Sequence, residues 1–312
     1  MKTENNDCFK NALPNFPISI QNVLKCINEN DTINIQEIRL RSFNPLSVTK
    51  NSETLFVDGS GNLGSNPLNS YVVTDNEVKE TYRLICAGSV YSHINEIKDG
   101  FVILKHGNRA GICGTFTDEG ILSDITSVNI RIARQIFGSA KIIAENYKGG
   151  GVLIAGPPGS GKTTMLRDFV RILSSGEMGK FYRVCVIDKR GELSAANSGR
   201  IYNDLGPNTD VYLGVENAKG IEMAIRTMYP DIAAFDEIST IEQANSIIDS
   251  FNAGVDIVTT AHIFTESDLL RRAPTIKLLD SGAIKTVVIL PFFLNGQIKI
   301  MSPERLKLKC FL

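Results

Sequence analysis

Two rhythms of apolar and polar residues divide the chain. In its first part, apolar positions alternate with polar ones over short runs: Glu37-Ile38-Arg39-Leu40-Arg41, Pro45-Leu46-Ser47-Val48 and Glu53-Thr54-Leu55-Phe56-Val57. A period of two predicts half-solvated strands, and the Asn, Gly and Ser residues of 59–66 predict the turns between them. A second strand pair is predicted at 101–104 and 109–114, around turn residues 105–108. Helical spacing occurs over 18–27 and at Val78, Tyr82, Ile85 and Cys86 within 75–91, with Ile94-Asn95-Glu96-Ile97-Lys98 placed to prolong it. Residues 1–147 therefore predict a compact, smaller α+β domain.

At Lys148-Gly149-Gly150-Gly151 three glycines interrupt the pattern, and a different one follows. Val152-Leu153-Ile154-Ala155 is a short apolar run suited to a buried strand, and 165–173 reads as the helix after it. Strands at 183–188, 231–235 and 255–260 then alternate with helices at 217–228 and 240–253. Such alternation predicts an α/β domain over 148–312, with a parallel sheet and helices on both faces. Runs at 284–290 and 297–301, separated by a stretch containing Asn295-Gly296, predict a C-terminal hairpin.

Composition narrows the function classes. Across 312 residues, 33 Lys+Arg balance 34 Asp+Glu, so no overall field draws the chain to nucleic acid or anionic lipid. Six cysteines without C-x-x-C spacing predict reduced, mostly buried thiols. The polar start Met1-Lys2-Thr3-Glu4-Asn5-Asn6-Asp7 leads into no apolar segment, which predicts an intracellular chain without a secretory signal. Nor does any run reach the roughly 18 to 20 apolar residues of a membrane helix.

The chemistry is concentrated where the apolar run meets its helix. Gly156-Pro157-Pro158-Gly159-Ser160-Gly161-Lys162-Thr163-Thr164 fits the phosphate-loop pattern G-x-x-x-x-G-K-[ST] at every fixed position. Glycines 156, 159 and 161 allow consecutive N–H groups to turn toward phosphates at a helix N-terminus. Lys162 is then expected to reach the β/γ-phosphates, and Thr163 to offer its hydroxyl to Mg²⁺. A Gly/Pro turn that merely precedes a lysine would not bring a strand and a helix on its flanks.

Asp236 and Glu237 close the apolar run Ile232-Ala233-Ala234-Phe235, at the strand end where open α/β sheets bind ligand. Asp236 is expected to hold Mg²⁺ and Glu237 to polarise the attacking water. Taken alone, such a pair would be read as the cap of the next helix; with a phosphate loop upstream it reads as functional. Asp188-Lys189-Arg190-Gly191-Glu192 ends another strand and offers Glu192 as an additional carboxylate, against the plain alternative of a loop salt bridge. Thr259-Thr260-Ala261-His262 ends a third, where His262 can register a γ-phosphate, although a lone His at a strand end is usually structural. Transferring a phosphoryl group also calls for a mobile cation, for which Arg109, Arg131, Arg134 and Arg226 are candidates among arginines that are mostly solvated.

The order of these motifs resembles the stage III sporulation protein AA (SpoIIIAA) family of endospore-forming bacteria, similar in its core to the traffic ATPases of type II and type IV secretion. The resemblance spans nearly the whole chain. It rests on Glu37-Ile38-Arg39-Leu40-Arg41, Gly107-Asn108-Arg109-Ala110-Gly111-Ile112-Cys113-Gly114 and Asn129-Ile130-Arg131-Ile132-Ala133-Arg134. Further on it includes the phosphate loop with Leu166-Arg167-Asp168, the 188–192 segment, Thr209-Asp210-Val211, Met223-Ala224-Ile225-Arg226-Thr227-Met228 and Asp236-Glu237-Ile238. It implies a RecA-like/AAA+ P-loop NTPase core that hydrolyses ATP with Mg²⁺, a hexameric homo-oligomeric ring, and a first domain packed over the nucleotide. It also implies a motor of a secretion-like apparatus joining mother cell and forespore, acting from the mother-cell cytoplasm and held peripherally at the membrane by embedded partner proteins. By the same similarity Glu192 matches an acidic-box carboxylate, Asp236 and Glu237 the Walker B pair, and His262 a His-box position. Lys189, where an acidic residue is expected, and Ile263, where a small one is usual, depart from the pattern.

Other readings stay distinguishable. A nucleic-acid translocase or helicase with the same core would be stimulated by DNA, yet near-zero charge and the lack of a basic or aromatic stacking segment speak against nucleic acid as a partner. A nucleotide kinase would need an Arg-rich lid after the core. A nucleotide-dependent assembly scaffold would bind ATP without turnover, which the Asp236-Glu237 pair argues against.

Overall fold

The computed structural model describes residues 3–86, 97, 100–117, 122–196, 200–291 and 296–311. Contacts divide the chain into two units, one up to Arg134 together with Ala195–Tyr202, the other Gln135–Ser194 with Asn203–Leu312. The sequence places the boundary after residue 147; in the structure 135–147 belong with the second unit. The reason is packing: Ala140, Ile143 and Tyr147 are buried against Phe169 and the phosphate-loop strand.

Helices α1 (Thr3–Ala12), α2 (Ile18–Lys25), α3 (Glu29–Thr32) and α4 (Asp75–Ile85) accompany seven strands in the first unit. The strands are β1 (Ile35–Arg41), β2 (Ser47–Lys50), β3 (Glu53–Val57), β4 (Leu63–Gly64), β5 (Phe101–Ile103), β6 (Arg109–Phe116) and β7 (Leu122–Arg131). They form one antiparallel sheet in the order β4-β3-β2-β1-β7-β6-β5, so the two expected strand groups are halves of a single sheet. Alternation sets its faces: Ile38, Leu40, Val128, Ile130, Ala110 and Ile112 turn into a core with Phe16, Ile20, Leu24 and Val78. The opposite face carries Glu37, Arg39 and Arg41, with Glu37 opposite Arg131 and Arg131 opposite Arg109. The helical continuation expected at 94–98 lies, apart from Ile97, outside the described residues.

A polar knot fixes α4 to this unit. Thr74 and Glu77 form a reciprocal capping box, and Glu77, 6% exposed, also accepts from the hydroxyls of Ser19 and Tyr71. Burial pushes the Glu77 carboxyl up, but hydrogen bonds from Ser19, Thr74 and Tyr71 together bring it below the usual range. A depressed folded pKa means stabilisation that is complete above the unfolded value, about 4.3, and lost as pH falls through the folded one. Glu77→Ala is expected to cost roughly 2–3 kcal/mol, read as a lower urea midpoint, and to remove part of the acid sensitivity below about pH 5.

The second unit is built on β8 (Gly151–Gly156), β9 (Val184–Asp188), β10 (Thr209–Leu213), β11 (Ile232–Phe235), β12 (Asp256–His262), β13 (Ile284–Ile289) and β14 (Lys299–Met301). Strand order is β10-β9-β11-β12-β8-β13-β14, parallel throughout except for the antiparallel pair of β13 and β14. Every residue of β8 is buried, because helices cover both faces. Leu153 and Ala155 share a core with residues of α7 (Asn217–Thr227), α8 (Ile241–Asn252) and α9 (Ala273–Ser281). Val152 and Ile154 share the other with α5 (Lys141–Asn146) and α6 (Lys162–Ser175). The β13/β14 pairing is the expected hairpin; Asn295 of its connection lies outside the described residues. An additional helix, α10 (Pro303–Phe311), follows it.

The cysteines differ from expectation. Cys86 and Cys185 are buried, and burial pushes the Cys185 thiol up to about 12, but Cys26 and Cys113 are exposed. Cys113 follows buried Ile112 on β6 and so takes the outer face.

Candidate functional site

Three neighbouring parallel strands end together. Gly156 of β8 pairs with His262 of β12, and Thr259 of β12 pairs with Phe235 of β11. The phosphate loop, His262 and Asp236-Glu237 therefore share one edge of the sheet, with the His262 strand between the other two. Gly159 (φ 74°) and Gly161 (φ 90°) are left-handed with nothing within 4 Å of where a Cβ would stand, so it is the backbone angle that requires glycine there. Gly161 is the N-cap of α6, and among the described residues that helix end carries no side-chain cap, as an anion-binding helix start requires.

Lys162 is buried at the start of α6; its Nζ donates to the Pro157 carbonyl at 2.8 Å and lies 3.0 Å from His262 Nδ1. An ammonium has only donors, so Nδ1 accepts and the imidazole proton sits on Nε2, which faces Glu237 Oε2 at 3.4 Å. One chain of contacts thus joins the loop lysine to the glutamate. Burial lowers the Lys162 pKa, while Asp236 and Glu237 favour its charged form.

Asp236 is held from several sides. Thr163 Oγ1 donates to Oδ2 at 2.8 Å, Thr260 Oγ1 to Oδ1 at 2.8 Å, and Asn217 Nδ2 to the main-chain carbonyl at 3.2 Å. Glu237 follows with φ 43°, a strained conformation for a residue with a side chain, and its N–H bonds to Thr260 Oγ1 at 3.1 Å. Its side chain stays 43% exposed. Beside it opens a cleft of about 260 Å³ at the ends of β9 and β11, lined by Asp188, Glu192, Asn217, Asp236 and Glu237 among others. Buried Asp188 accepts from the Glu192 N–H, the Ser194 N–H and the Ser194 hydroxyl, which folds the Glu192 loop back over the strand end.

The structure thus brings Lys162, Thr163, Asp236, Glu237, Glu192 and His262 together in one unit. Arg226, in the last turn of α7, is three-quarters exposed, pairs with Glu222 and does not line the cleft. The other candidate arginines belong to the first unit. Arg109 stacks over Phe101 at 4.2 Å, Arg131 faces Glu37 at 3.5 Å, and Arg134 donates to the Ile35 carbonyl at 2.6 Å. Asn217 and Arg167 were not expected at the site. Arg167 Nη2 donates to the Glu192 carbonyl at 2.8 Å, a placement that only the fold of the loop reveals.

These residues suit a Mg²⁺-bound triphosphate. The loop offers the Lys162 ammonium, and its Ser160 hydroxyl is buried without a partner among the described residues. Thr163 and Asp236 supply adjacent oxygen donors of the hard type Mg²⁺ prefers. Among the described residues no helix is long and apolar enough to cross a membrane.

The fold recurs in solved structures of low identity. The pilus retraction motor PilT, solved with bound ADP, matches with a TM-score of 0.60 at 14% identity, over 88% of this chain and 83% of that one. The ATPase DotB of Legionella pneumophila matches with a TM-score of 0.54 at 13% identity, over 89% and 83%. In sequence, the stage III sporulation protein AA of Bacillus subtilis (strain 168) is 31% identical over 272 residues, 85% of this chain and 84% of that protein. The family model described as "Sporulation stage III, protein AA" matches residues 12–301, and the chain belongs to that family.

Proposed function

We propose that the chain is a Mg²⁺-dependent ATPase with a RecA-like P-loop core, working as the motor of a secretion-like apparatus in endospore formation. The observation that carries the reading is the 2.8 Å bond from Thr163 of the phosphate loop to Asp236 of a strand two places away. Two separate stretches converge there as a metal-assisted triphosphate site requires. Thr163 and Asp236 would hold Mg²⁺, which would supply charge neutralisation on the bound triphosphate. Lys162 leaves the Pro157 carbonyl for phosphate, and Glu237 takes a proton from the attacking water. When Lys162 turns away, His262 loses its partner on Nδ1, so its hold on Glu237 depends on whether phosphate is present. Glu192 adds a second carboxylate on the cleft, and Arg109, Arg131, Arg134 or Arg226 supplies the finger, within a subunit or from its neighbour in a hexameric ring. The ring would work from the mother-cell cytoplasm, at the membrane through embedded partners.

One observation favours a second reading, a nucleic-acid translocase: Arg39, Arg41, Arg109 and Arg131 share the outer face of the first unit's sheet. Glu37 offsets that face by pairing with Arg39 and Arg131. Steady-state phosphate release from the full chain decides between them. Mg²⁺-dependent release that EDTA abolishes and DNA leaves unchanged is expected, together with a six-subunit mass in a non-hydrolysable ATP analogue. Strong DNA stimulation would establish the translocase instead, and ATP binding without release would overturn both.

A further inference from the structure

We infer that Arg167 is a positioning residue of the hydrolytic site, fixing the Glu192 loop to the phosphate-loop helix; the inference rests on the ATPase reading. Arg167 lies five residues beyond Lys162 on the same helix, α6. Its guanidinium leaves that helix and bonds the main-chain carbonyl of Glu192 at 2.8 Å. From the other side, Asp188 at the end of β9 grips the same loop through the N–H groups of Glu192 and Ser194, at 3.0 and 2.8 Å. The loop is therefore suspended between a strand end and the helix that would bind phosphate. The exposed Glu192 side chain meets the cleft that Asp236 and Glu237 also line. One rigid element then sets the distance from the phosphate anchors, Lys162 and Thr163, to the outlying carboxylate.

Two further observations separate this from an ordinary helix-to-loop contact. Arg167 Nε is buried without a hydrogen-bond partner among the described residues, a desolvation cost that a purely architectural arginine would be expected to avoid. Asp188, Glu192 and Asp236 all act on the guanidinium, partly offsetting the burial that lowers its pKa. Arg167 is thus a fixed cation among the acids of the site that makes its described bond to the loop backbone. A planar fork suits that task, since its donors can reach backbone and carboxylates at once.

The test compares Arg167→Met and Arg167→Lys with the wild-type chain. Arg167→Met is expected to lower kcat roughly ten- to a hundredfold with KM and the Kd for a non-hydrolysable ATP analogue within about threefold. Arg167→Lys, which keeps the charge and one donor, is expected to recover most of the loss. Glu192→Gln is expected to add little on the Arg167→Met background. Hydrogen exchange supplies a readout independent of turnover: backbone amides of 191–194 should exchange faster in Arg167→Met, while analogue-induced protection of 156–163 persists. An unchanged kcat, or unchanged exchange at 191–194, would overturn the inference. So would loss of analogue binding in a folded Arg167→Met protein, which would place Arg167 on the nucleotide. If the wild-type chain does not hydrolyse ATP, the ATPase reading falls, and the exchange comparison alone decides whether Arg167 holds the loop.

Discussion

Replacing Glu237 by glutamine is expected to lower ATP turnover roughly 10²- to 10⁴-fold while leaving ATP binding within a few-fold of wild type. The carboxylate stands beside Asp236 but makes none of the described bonds to Thr163 or Lys162, so it is available to a water rather than to metal or phosphate. Glutamine keeps the length of the side chain and an oxygen that can accept from His262 Nε2–H, so the 3.4 Å contact survives in kind. What it lacks is the ability to take a proton. The backbone at φ 43° is the same for both residues, and the N–H bond to Thr260 does not involve the side chain, so folding is expected to be unaffected. The measurement is single-turnover hydrolysis alongside equilibrium binding of ATP. Turnover within several-fold of wild type would mean that Glu237 does not activate water, and Glu192 would take its place as the candidate base.

The parts of this site that could be read along the chain are those whose chemistry is local. A phosphate loop needs its strand, its glycines and its helix in immediate succession, and all lie within 151–175. Asp236-Glu237 was legible because a buried apolar run must end where its polar residues begin. What sequence could not supply was the lateral order of the strands. Thr260 becomes a ligand of Asp236 only because β12 lies between β8 and β11, and Asn217 becomes another only through the path of α7. Strand β7 is hard to read although Leu122, Ile125, Val128 and Ile130 recur along it, because spacings of three break the period of two near the register shifts opposite Cys113–Gly114 and Thr115–Phe116. β10 shows no clear apolar pattern because its residues are partly buried or exposed, at the edge of the sheet. The boundary at the glycines of 149–151 marked a real break in pattern. The segment before it had already joined the second core, through the caps that Asp168 provides to Ser139 and Ala140.

Lys162→Ala is expected to weaken ATP binding roughly thirtyfold to several-thousandfold, the ~2–5 kcal/mol lost when a buried, hydrogen-bonded charge is removed from its partner, and to abolish turnover with it. The same substitution should leave the nucleotide-free fold intact. In that state Lys162 is a desolvated ammonium whose pKa burial lowers, so the folded chain binds its proton less readily than the unfolded chain does. A base with a depressed folded pKa costs stability below that value, and the cost shrinks as pH rises toward the unfolded value near 10.4. Alanine removes that cost, although it leaves the Pro157 carbonyl and His262 Nδ1 without their donor. Thermal unfolding without nucleotide is therefore expected to change little at neutral pH, while the rise in melting temperature that ATP gives the wild-type chain disappears from the variant. Retained stabilisation by ATP would show that the loop holds phosphate without its lysine. Collapse of the nucleotide-free variant would show instead that the Lys162, His262 and Glu237 chain is an element of the fold.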